Sequence, residues 1–367
     1  MHKIIVAGAG KIGTLISTLF LEKSDYQITL LDQDFSGQDV QYLKDSVRLQ
    51  KTVVDVSDEK ELSAALQKNP CEAIVSSLPF YCNPIIAKYA REFNLHYFDL
   101  TEDTTVTAAI QAIAKNANTA FVPQCGLAPG FIGIVTHHLM KKFSTIDTVK
   151  MRVGALPIHS SHALQYALTW STEGLINEYG NSCRAIVEGE FMWVRPLEGL
   201  EILQLNGVSY EAFNTSGGLG SLAELYQGRV RTMNYKTLRY PGHCEKMRFL
   251  MNDLRLNEDR STLKNILEHA LPKTYRDVVL IYASVSGNKG GVFLEESAFY
   301  KLYPQEIGGH LWSAIQVGTA ASLCTIVDLI LNARQPKTGF VYQENTALKD
   351  FLGNRFAGCY GSDMLNI

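Results

Sequence analysis

Three observations in the 367-residue sequence predict an α/β protein with a doubly wound parallel sheet at its N-terminus and a second α+β domain carrying a mixed or antiparallel sheet. Short apolar runs alternate with helical periods through residue 125. A glycine triplet lies between the first run and the first helical period. After Pro129 strand-like runs separated by turn residues dominate.

Lys3–Ala7 is an apolar run ending at glycines, followed at helical spacing by Ile12, Leu15, Ile16, Leu19 and Phe20. Gln27–Leu31 reads as a second strand closed by Asp32, Thr52–Val54 as a third and Asp58–Gln67 as the next helix. Ala73–Ser76 is a fourth strand before a helix at Pro84–Phe93. Tyr97–Phe98 and Ala120–Val122 are further strands on either side of a helix at Val106–Lys115. Alternation of this kind places parallel strands between two helical layers. In the later half, Val149–Val153, Gln165–Thr169, Arg184–Val187, Phe191–Val194, Val230–Leu238 and Val278–Ser286 read as strands. Asn206-Gly207 and Gly290-Gly291 read as turns between them. A long apolar helix is expected from about Gly309 to Leu331. The expected domains are 1–125, completed by the helix at 309–331, then 126–308, then a C-terminal tail at 332–367.

Composition narrows the class of protein. Hydrophobic residues make up 46%, charged residues 19%, and the net charge is -3. That balance gives no electrostatic reason to bind nucleic acid or an anionic membrane. Ile315–Leu331 is short for a membrane span and contains Gln316 and Asp328, so a buried helix is expected. Met1-His2-Lys3 runs straight into the first strand, so no leader is expected. Seven widely spaced cysteines without a C-x-x-C point to reduced thiols and a cytoplasmic setting. His159/His162 and His137-His138 lack an evident ligand set, so no metal is expected.

Gly8-Ala9-Gly10-Lys11-Ile12-Gly13 is a G-x-G-x-x-G in the strand-to-helix context that makes the pattern informative. Gly8 permits the tight turn, Gly10 lets backbone approach a pyrophosphate, and Gly13 lets the helix lie close to the strand. The helix start at Lys11 and Ile12 offers free N–H groups to an anion. Asp32 lies 19 positions after Gly13 and ends the second strand. A carboxylate there accepts both ribose hydroxyls and repels a 2′-phosphate, which favours NAD over NADP. Asp55-Val56-Ser57-Asp58 either lines the adenine pocket or caps the following helix. Ser77, Leu78 and Pro79 follow the fourth strand, near the strand-order reversal where the nicotinamide half is expected.

Several segments together resemble the saccharopine dehydrogenase / lysine 6-dehydrogenase family: the N-terminal fingerprint, Ser77-Leu78-Pro79-Phe80, His96-Tyr97-Phe98-Asp99-Leu100, Cys125-Gly126-Leu127-Ala128-Pro129-Gly130, Thr215-Ser216-Gly217-Gly218 and Tyr235-Lys236-Thr237-Leu238-Arg239-Tyr240-Pro241-Gly242-His243. The resemblance implies a dehydrogenase acting at a C–N bond of an amino acid, with Tyr235 and Thr237 at the substrate. Members acting on saccharopine tend to carry Asp where this chain has Ala128. The form found here is more similar to lysine 6-dehydrogenase. Lys88 aligns roughly with a lysine proposed to act in the saccharopine enzymes, and the helix predicted around it also suits a solvated surface residue.

Oxidising an amine requires a base to remove a proton and a cation to hold the substrate carboxylate. On a strand Tyr235, Thr237 and Arg239 share one face. Arg239 is the expected carboxylate ligand, because its fork is bidentate. His243, on a turn after Pro241-Gly242, is a candidate base with a pKa near neutrality. The bland alternative is a packed strand, an exposed arginine and a helix-capping histidine. His96, Asp99 and Glu102 lie on or just after the fifth strand, where Asp99 orients His96 or the substrate amine, or the segment only caps the following helix through Thr101 or Thr104. Gly126, Pro129 and Gly130 form a stiff junction whose backbone could approach a ligand.

The leading expectation is NAD-dependent oxidative deamination of L-lysine at its 6-amino group. The alternatives are a saccharopine or carboxyspermidine-type dehydrogenase, and a non-catalytic NAD-binding sensor or scaffold. A homo-oligomer is expected by analogy with other two-domain dehydrogenases.

Overall fold

In the computed structural model, described for residues 1–332 and 338–361, the chain divides into two compact units. The first comprises Met1–Phe131, Glu306–Trp312 and Gln316–Cys359. Its strands are β1 (His2–Ala7), β2 (Tyr26–Asp32), β3 (Leu49–Val53), β4 (Ala73–Ser76), β5 (His96–Asp99) and β6 (Ala120–Val122). Helices α1 (Lys11–Leu21), α2 (Glu59–Lys68), α3 (Asn83–Glu92) and α4 (Thr104–Ala114) alternate with them. The order is β6-β5-β4-β1-β2-β3, all parallel, with Gly339–Phe340 as a seventh strand beside β6. This is the doubly wound arrangement in which the strand order reverses beside β1, the strand carrying the glycine motif.

Local chemistry starts these helices where they start. The Asp58 carboxylate accepts the N–H groups of Lys60 and Glu61 and opens α2. Asp103 does the same for α4 through Val106. One face of the sheet is sealed by an apolar cluster that includes Ile5, Leu31, Val56, Leu62, Ile74, Ile86, Tyr97 and Phe121.

Of the residues expected to be a tail, 338–359 belong to this unit. Two strand residues are too few to show a period, and Phe340 instead declares itself by packing on the apolar cluster. The late helix runs Ala314–Leu331, starting after a short strand at His310–Trp312. It is long and apolar enough to cross a membrane, yet 89% of it is buried inside the protein. Its one carboxylate, Asp328, is enclosed and accepts hydrogen bonds from the Tyr26 hydroxyl (2.6 Å), Asn354 Nδ2 (2.7 Å) and Arg355 Nη2 (2.6 Å).

The second unit is built from Ile132–Gln305 with Ser313–Ile315. After α5 (Phe131–Met140) come β7 (Thr145–Pro157), α6 (Thr172–Gly180), the hairpin β8 (Cys183–Val187) and β9 (Glu190–Val194), and the hairpin β10 (Glu201–Leu205) and β11 (Val208–Asn214). Then follow α7 (Leu222–Tyr226), β12 (Val230–Arg239), α8 (His243–Arg248), α9 (Arg260–Ala270) and the long hairpin β13 (Asp277–Lys289) and β14 (Val292–Leu302). The sheet order is β10-β11-β12-β7-β13-β14, with β8 on β12 and β9 on β8. Among the described residues only β12 and β7 run parallel, so the sheet is mixed.

The sequence-predicted strands at 149–153, 184–187, 191–194, 230–238 and 278–286 fall inside β7, β8, β9, β12 and β13. Gln165–Thr169 does not form a strand. Gln165 takes a positive φ of 49° and its N–H closes a turn on the His162 carbonyl. The alternation there reflects Leu164, Tyr166 and Leu168 entering a core shared with α6, α8 and α9.

Candidate functional site

In the first unit the site is organised by the turn from β1 to α1. Gly8 takes φ +103°, and its N–H bonds to the Leu31 carbonyl at 2.8 Å. A methyl group on Gly13 would sit 1.8 Å from the Gly8 carbonyl oxygen, so the close helix–strand approach excludes any side chain there. Gly10 is different. A methyl there meets nothing within 4 Å, and its φ of -70° suits any residue. The protein's own packing therefore has no need of glycine at 10, whereas an approaching ligand does. Helix α1 has no side-chain cap and no acidic residue in its first turn, which leaves its N-terminus, at exposed Lys11 and half-buried Ile12, electropositive.

Asp32, at the end of β2, is half-buried, and its Oδ2 accepts the Ala9 N–H at 2.6 Å. The carboxylate is thereby held against the glycine turn. Ser77 closes the other side: its N–H bonds to the Ala7 carbonyl at 2.8 Å, and its backbone would touch any side chain on Gly8. Leu78 leans on the apolar cluster, and exposed Pro79 opens a short 3-10 turn. These features fit a dinucleotide. The Asp55–Asp58 segment divides: Asp58 caps α2, Asp55 is exposed and turns back on the Ser57 N–H, and Val56 is a core residue only 7% exposed. A cofactor role for the Val56 side chain is therefore corrected.

Three other expectations are also corrected in this unit. His96 begins β5 and Asp99 ends it, so they lie at opposite ends of the strand and His96 is not on the ligand side. Its Nδ1 accepts the Ala120 N–H at 3.0 Å. Asp99 is fully buried and accepts from the Tyr97 hydroxyl (2.6 Å) and the N–H groups of Thr101 and Gln124 (both 3.0 Å). It joins the ends of β5 and β6 and does not orient His96. Burial pushes its carboxyl up to about 6. Gly126, Pro129 and Gly130 are buried, and a methyl on Gly130 would fall 1.7 Å from the Gly126 carbonyl oxygen. That loop needs its glycine to close on itself rather than to meet a ligand. Lys88 is an exposed partner of Glu59 at 2.9 Å.

In the second unit, β12 carries the motif residues on two faces. Lys236 points to one side, where it and fully buried Arg152 share Glu201 at 3.0 and 2.5 Å. Tyr235, Thr237 and Arg239 point to the other. The Tyr235 ring packs flat on Gly218, where a methyl would lie 2.4 Å from the ring. This explains Gly218, while Gly217 takes a positive φ of 91°. Burial, and then the charge of Glu178, keep the Tyr235 phenol protonated. The Thr237 hydroxyl donates to the Val153 carbonyl at 3.2 Å, so it serves the sheet and a catalytic role is corrected.

Arg239 is only 2% exposed. Its Nε donates to the Tyr179 hydroxyl and its Nη1 to the Leu238 carbonyl, each at 2.8 Å, and the rings of Tyr166 and Tyr179 lie 5.0 and 5.7 Å from the guanidinium carbon. Among the described residues it has no carboxylate partner within 4.0 Å. The charge of Glu178 acts on it without forming a direct ion pair, and a guanidinium buried without such a pair is one that an incoming anion would stabilise. The exposed arginine of the bland alternative is excluded.

His243 is corrected as a base. It is 1% exposed, the first residue of α8, with Nδ1 2.8 Å from the Leu164 carbonyl and Nε2 3.0 Å from the Tyr179 hydroxyl. Burial, and then the Arg239 charge, press its pKa down to about 3, far from the neutral value expected of a turn residue. Tyr166, Tyr179 and Glu178 have no motif to announce them, and sequence reasoning missed all three.

A doubly wound dinucleotide-binding sheet followed by a mixed-sheet domain defines a two-domain dehydrogenase. The chain belongs to the saccharopine dehydrogenase family: the family's NADP-binding domain matches residues 4–122 and its C-terminal domain residues 126–354. Members of this family are NAD(P)-dependent oxidoreductases acting on CH–NH donors, and this chain is such an enzyme. The fold is shared with apo saccharopine dehydrogenase (L-Glu forming) of Saccharomyces cerevisiae, at 15% identity, TM-score 0.78, and 96% coverage of both chains. It is shared also with a homospermidine synthase of Legionella pneumophila solved with NAD, at 12% identity, TM-score 0.67, covering 99% of this chain and 90% of that one.

Proposed function

We propose that the chain is an NAD-dependent amino-acid dehydrogenase that oxidises L-lysine at its 6-amino group and releases ammonia. The observation that carries the amino-acid assignment is Arg239, a buried cation held by a phenol, flanked by tyrosine rings and lacking a protein carboxylate. A substrate α-carboxylate would supply the direct ion pair that Glu178, acting at longer range, does not make. Asp32 supports NAD over NADP, because a 2′-phosphate beside that carboxylate would be repelled. When bound, the dinucleotide would supply the acceptor for the hydride that leaves the carbon bearing nitrogen, and water would then displace the nitrogen as ammonia. Gly10 and the start of α1 would hold its pyrophosphate and Asp32 its ribose. Tyr235, a neutral hydroxyl on the same face as Arg239, is suited to hydrogen-bond the reacting nitrogen.

Ala128, in place of the aspartate common in the saccharopine enzymes, supports lysine over saccharopine. Family membership favours the second reading, a saccharopine- or carboxyspermidine-type dehydrogenase, and the product distinguishes the two. NADH formation is measured with lysine, ornithine, saccharopine and related amines at alkaline pH, with ammonia assayed in parallel. Ammonia released stoichiometrically from lysine supports the first reading. Turnover of saccharopine with release of an amino acid establishes the second. Failure on every carboxylate-bearing amine rejects both. Seven unpaired cysteines support a cytoplasmic setting, and a homo-oligomer remains part of the proposal.

A further inference from the structure

Arg239, Tyr179, His243 and the Leu164 carbonyl form a chain of three hydrogen bonds whose directions are set by its two ends. A carbonyl oxygen only accepts, so His243 Nδ1 carries the proton at 2.8 Å from Leu164. Because burial keeps the ring neutral, His243 Nε2 is then a lone pair, and the Tyr179 hydroxyl donates to it at 3.0 Å. The Tyr179 oxygen then accepts from Arg239 Nε at 2.8 Å, which a guanidinium can only donate. The reverse polarity is impossible at either end.

We propose that Tyr179 and His243 are positioning residues that aim Arg239 at the substrate carboxylate, an inference resting on the reading of Arg239 given above. Of the roughly five N–H donors of a guanidinium, Tyr179 takes the one on Nε and Leu238 takes one on Nη1. The remaining Nη1 donor and both on Nη2 form the end-on fork that matches a carboxylate. Nη2 has no bond among the described residues and is not one of the fully enclosed polar atoms, so this edge keeps a narrow solvent contact although the residue is only 2% exposed. The tyrosine rings cover the guanidinium and limit it to the plane set by Nε and Nη1. His243 is itself wedged, with the rings of Tyr166, Tyr179 and Phe213 at 5.3, 5.8 and 6.3 Å. A neutral imidazole in that position keeps an acceptor toward Tyr179 without placing a second cation beside Arg239.

The test is calorimetric titration of the NAD-loaded protein with L-lysine, saccharopine and glutarate, and with cadaverine, which is lysine without its carboxylate. Tyr179→Phe and His243→Leu are each expected to weaken the carboxylate-bearing probes by about ten- to hundredfold, the loss of a hydrogen bond to a charged group. Cadaverine and NAD affinities should stay within about twofold, inside the spread of a few tenths of a kcal/mol common for indirect effects. His243→Gln, which restores an acceptor, should recover part of the loss. Arg239→Ala tests the underlying reading separately. If Arg239→Ala weakens lysine but Tyr179→Phe and His243→Leu do not, the relay is refuted while Arg239 stands. If Arg239→Ala has no effect, or if the wild type binds none of the three carboxylates, both readings fall. Equal weakening of lysine and cadaverine, or loss of NAD binding with a lowered melting temperature, assigns the two residues a structural role and overturns the proposal.

Discussion

His243 offers a quantitative check on the buried chemistry of the second unit. Its imidazole is pressed from 6.5 to about 3, first by burial and then by the charge of Arg239. The sign follows from linkage. Between those two values the unfolded chain binds a proton that the folded chain refuses, so stability is present in full above the unfolded pKa and falls as pH drops. One pKa unit corresponds to about 1.4 kcal/mol, so the loss between pH 7 and pH 5 is about 2 kcal/mol from this residue alone. The full loss approaches about 5 kcal/mol only near pH 3. Urea unfolding of the wild type and of His243→Leu at the two pH values isolates the contribution, because every other group titrates alike in both. The variant is destabilised at pH 7, and that deficit should shrink by about 2 kcal/mol at pH 5. NMR of the nine histidines gives a direct reading, in which one ring, identified with His243→Gln, should not titrate above pH 5. A midpoint near 6.5 for that ring, or parallel pH slopes for the two proteins, would refute the neutral, enclosed histidine and with it the direction of the hydrogen-bond chain.

The other predictions concern both units. Gly10→Ala should leave the melting temperature unchanged and lower dinucleotide affinity by about tenfold, roughly one lost backbone hydrogen bond to a phosphate, whereas Gly13→Ala should unfold the turn through its 1.8 Å clash with Gly8. Fluorescence titration and a thermal melt separate the two, and equal behaviour would contradict the distinct roles given to these glycines. Asp32→Ala should weaken NAD by about ten- to hundredfold and NADP much less, and an unchanged NAD affinity in the same titration removes Asp32 from the ribose site. Arg239→Ala should raise KM for the amino-acid substrate by at least about tenfold with a smaller effect on kcat, measured by steady-state NADH formation. Asp328→Ala strips Tyr26, Asn354 and Arg355 of a shared acceptor and should cost about 3 kcal/mol in urea unfolding, without altering second-unit ligand binding.

How much of the site could be read in advance depended on how local its chemistry is. Gly8, Gly10, Gly13 and Asp32 belong to one strand–helix–strand passage, where spacing along the chain translates directly into position in space. Tyr235 and Arg239 share a strand, and alternation places them on one face. His96 and Asp99 show the limit of that reasoning. Three positions apart, they read as neighbours, but a four-residue strand sets them at opposite ends. Gln165–Thr169 shows it again, since alternate burial arises equally from a strand and from a turn whose side chains enter a core.

The alternation of strands and helices in the first unit, the glycine turn and the acidic strand end follow from the amino-acid sequence alone, because each depends on contacts between residues close in the chain and on periods that burial imposes. The protonation state of His243, the tyrosine setting of Arg239 and the retirement of Thr237 and Asp99 to structural duty were decided only by the tertiary structure. Tyr179 lies 60 residues from Arg239 and 64 from His243, and Leu164 lies 79 from His243. Hydrogen-bond partners brought together over such distances, and the loss of water that shifts a pKa, exist only once the chain has closed around them.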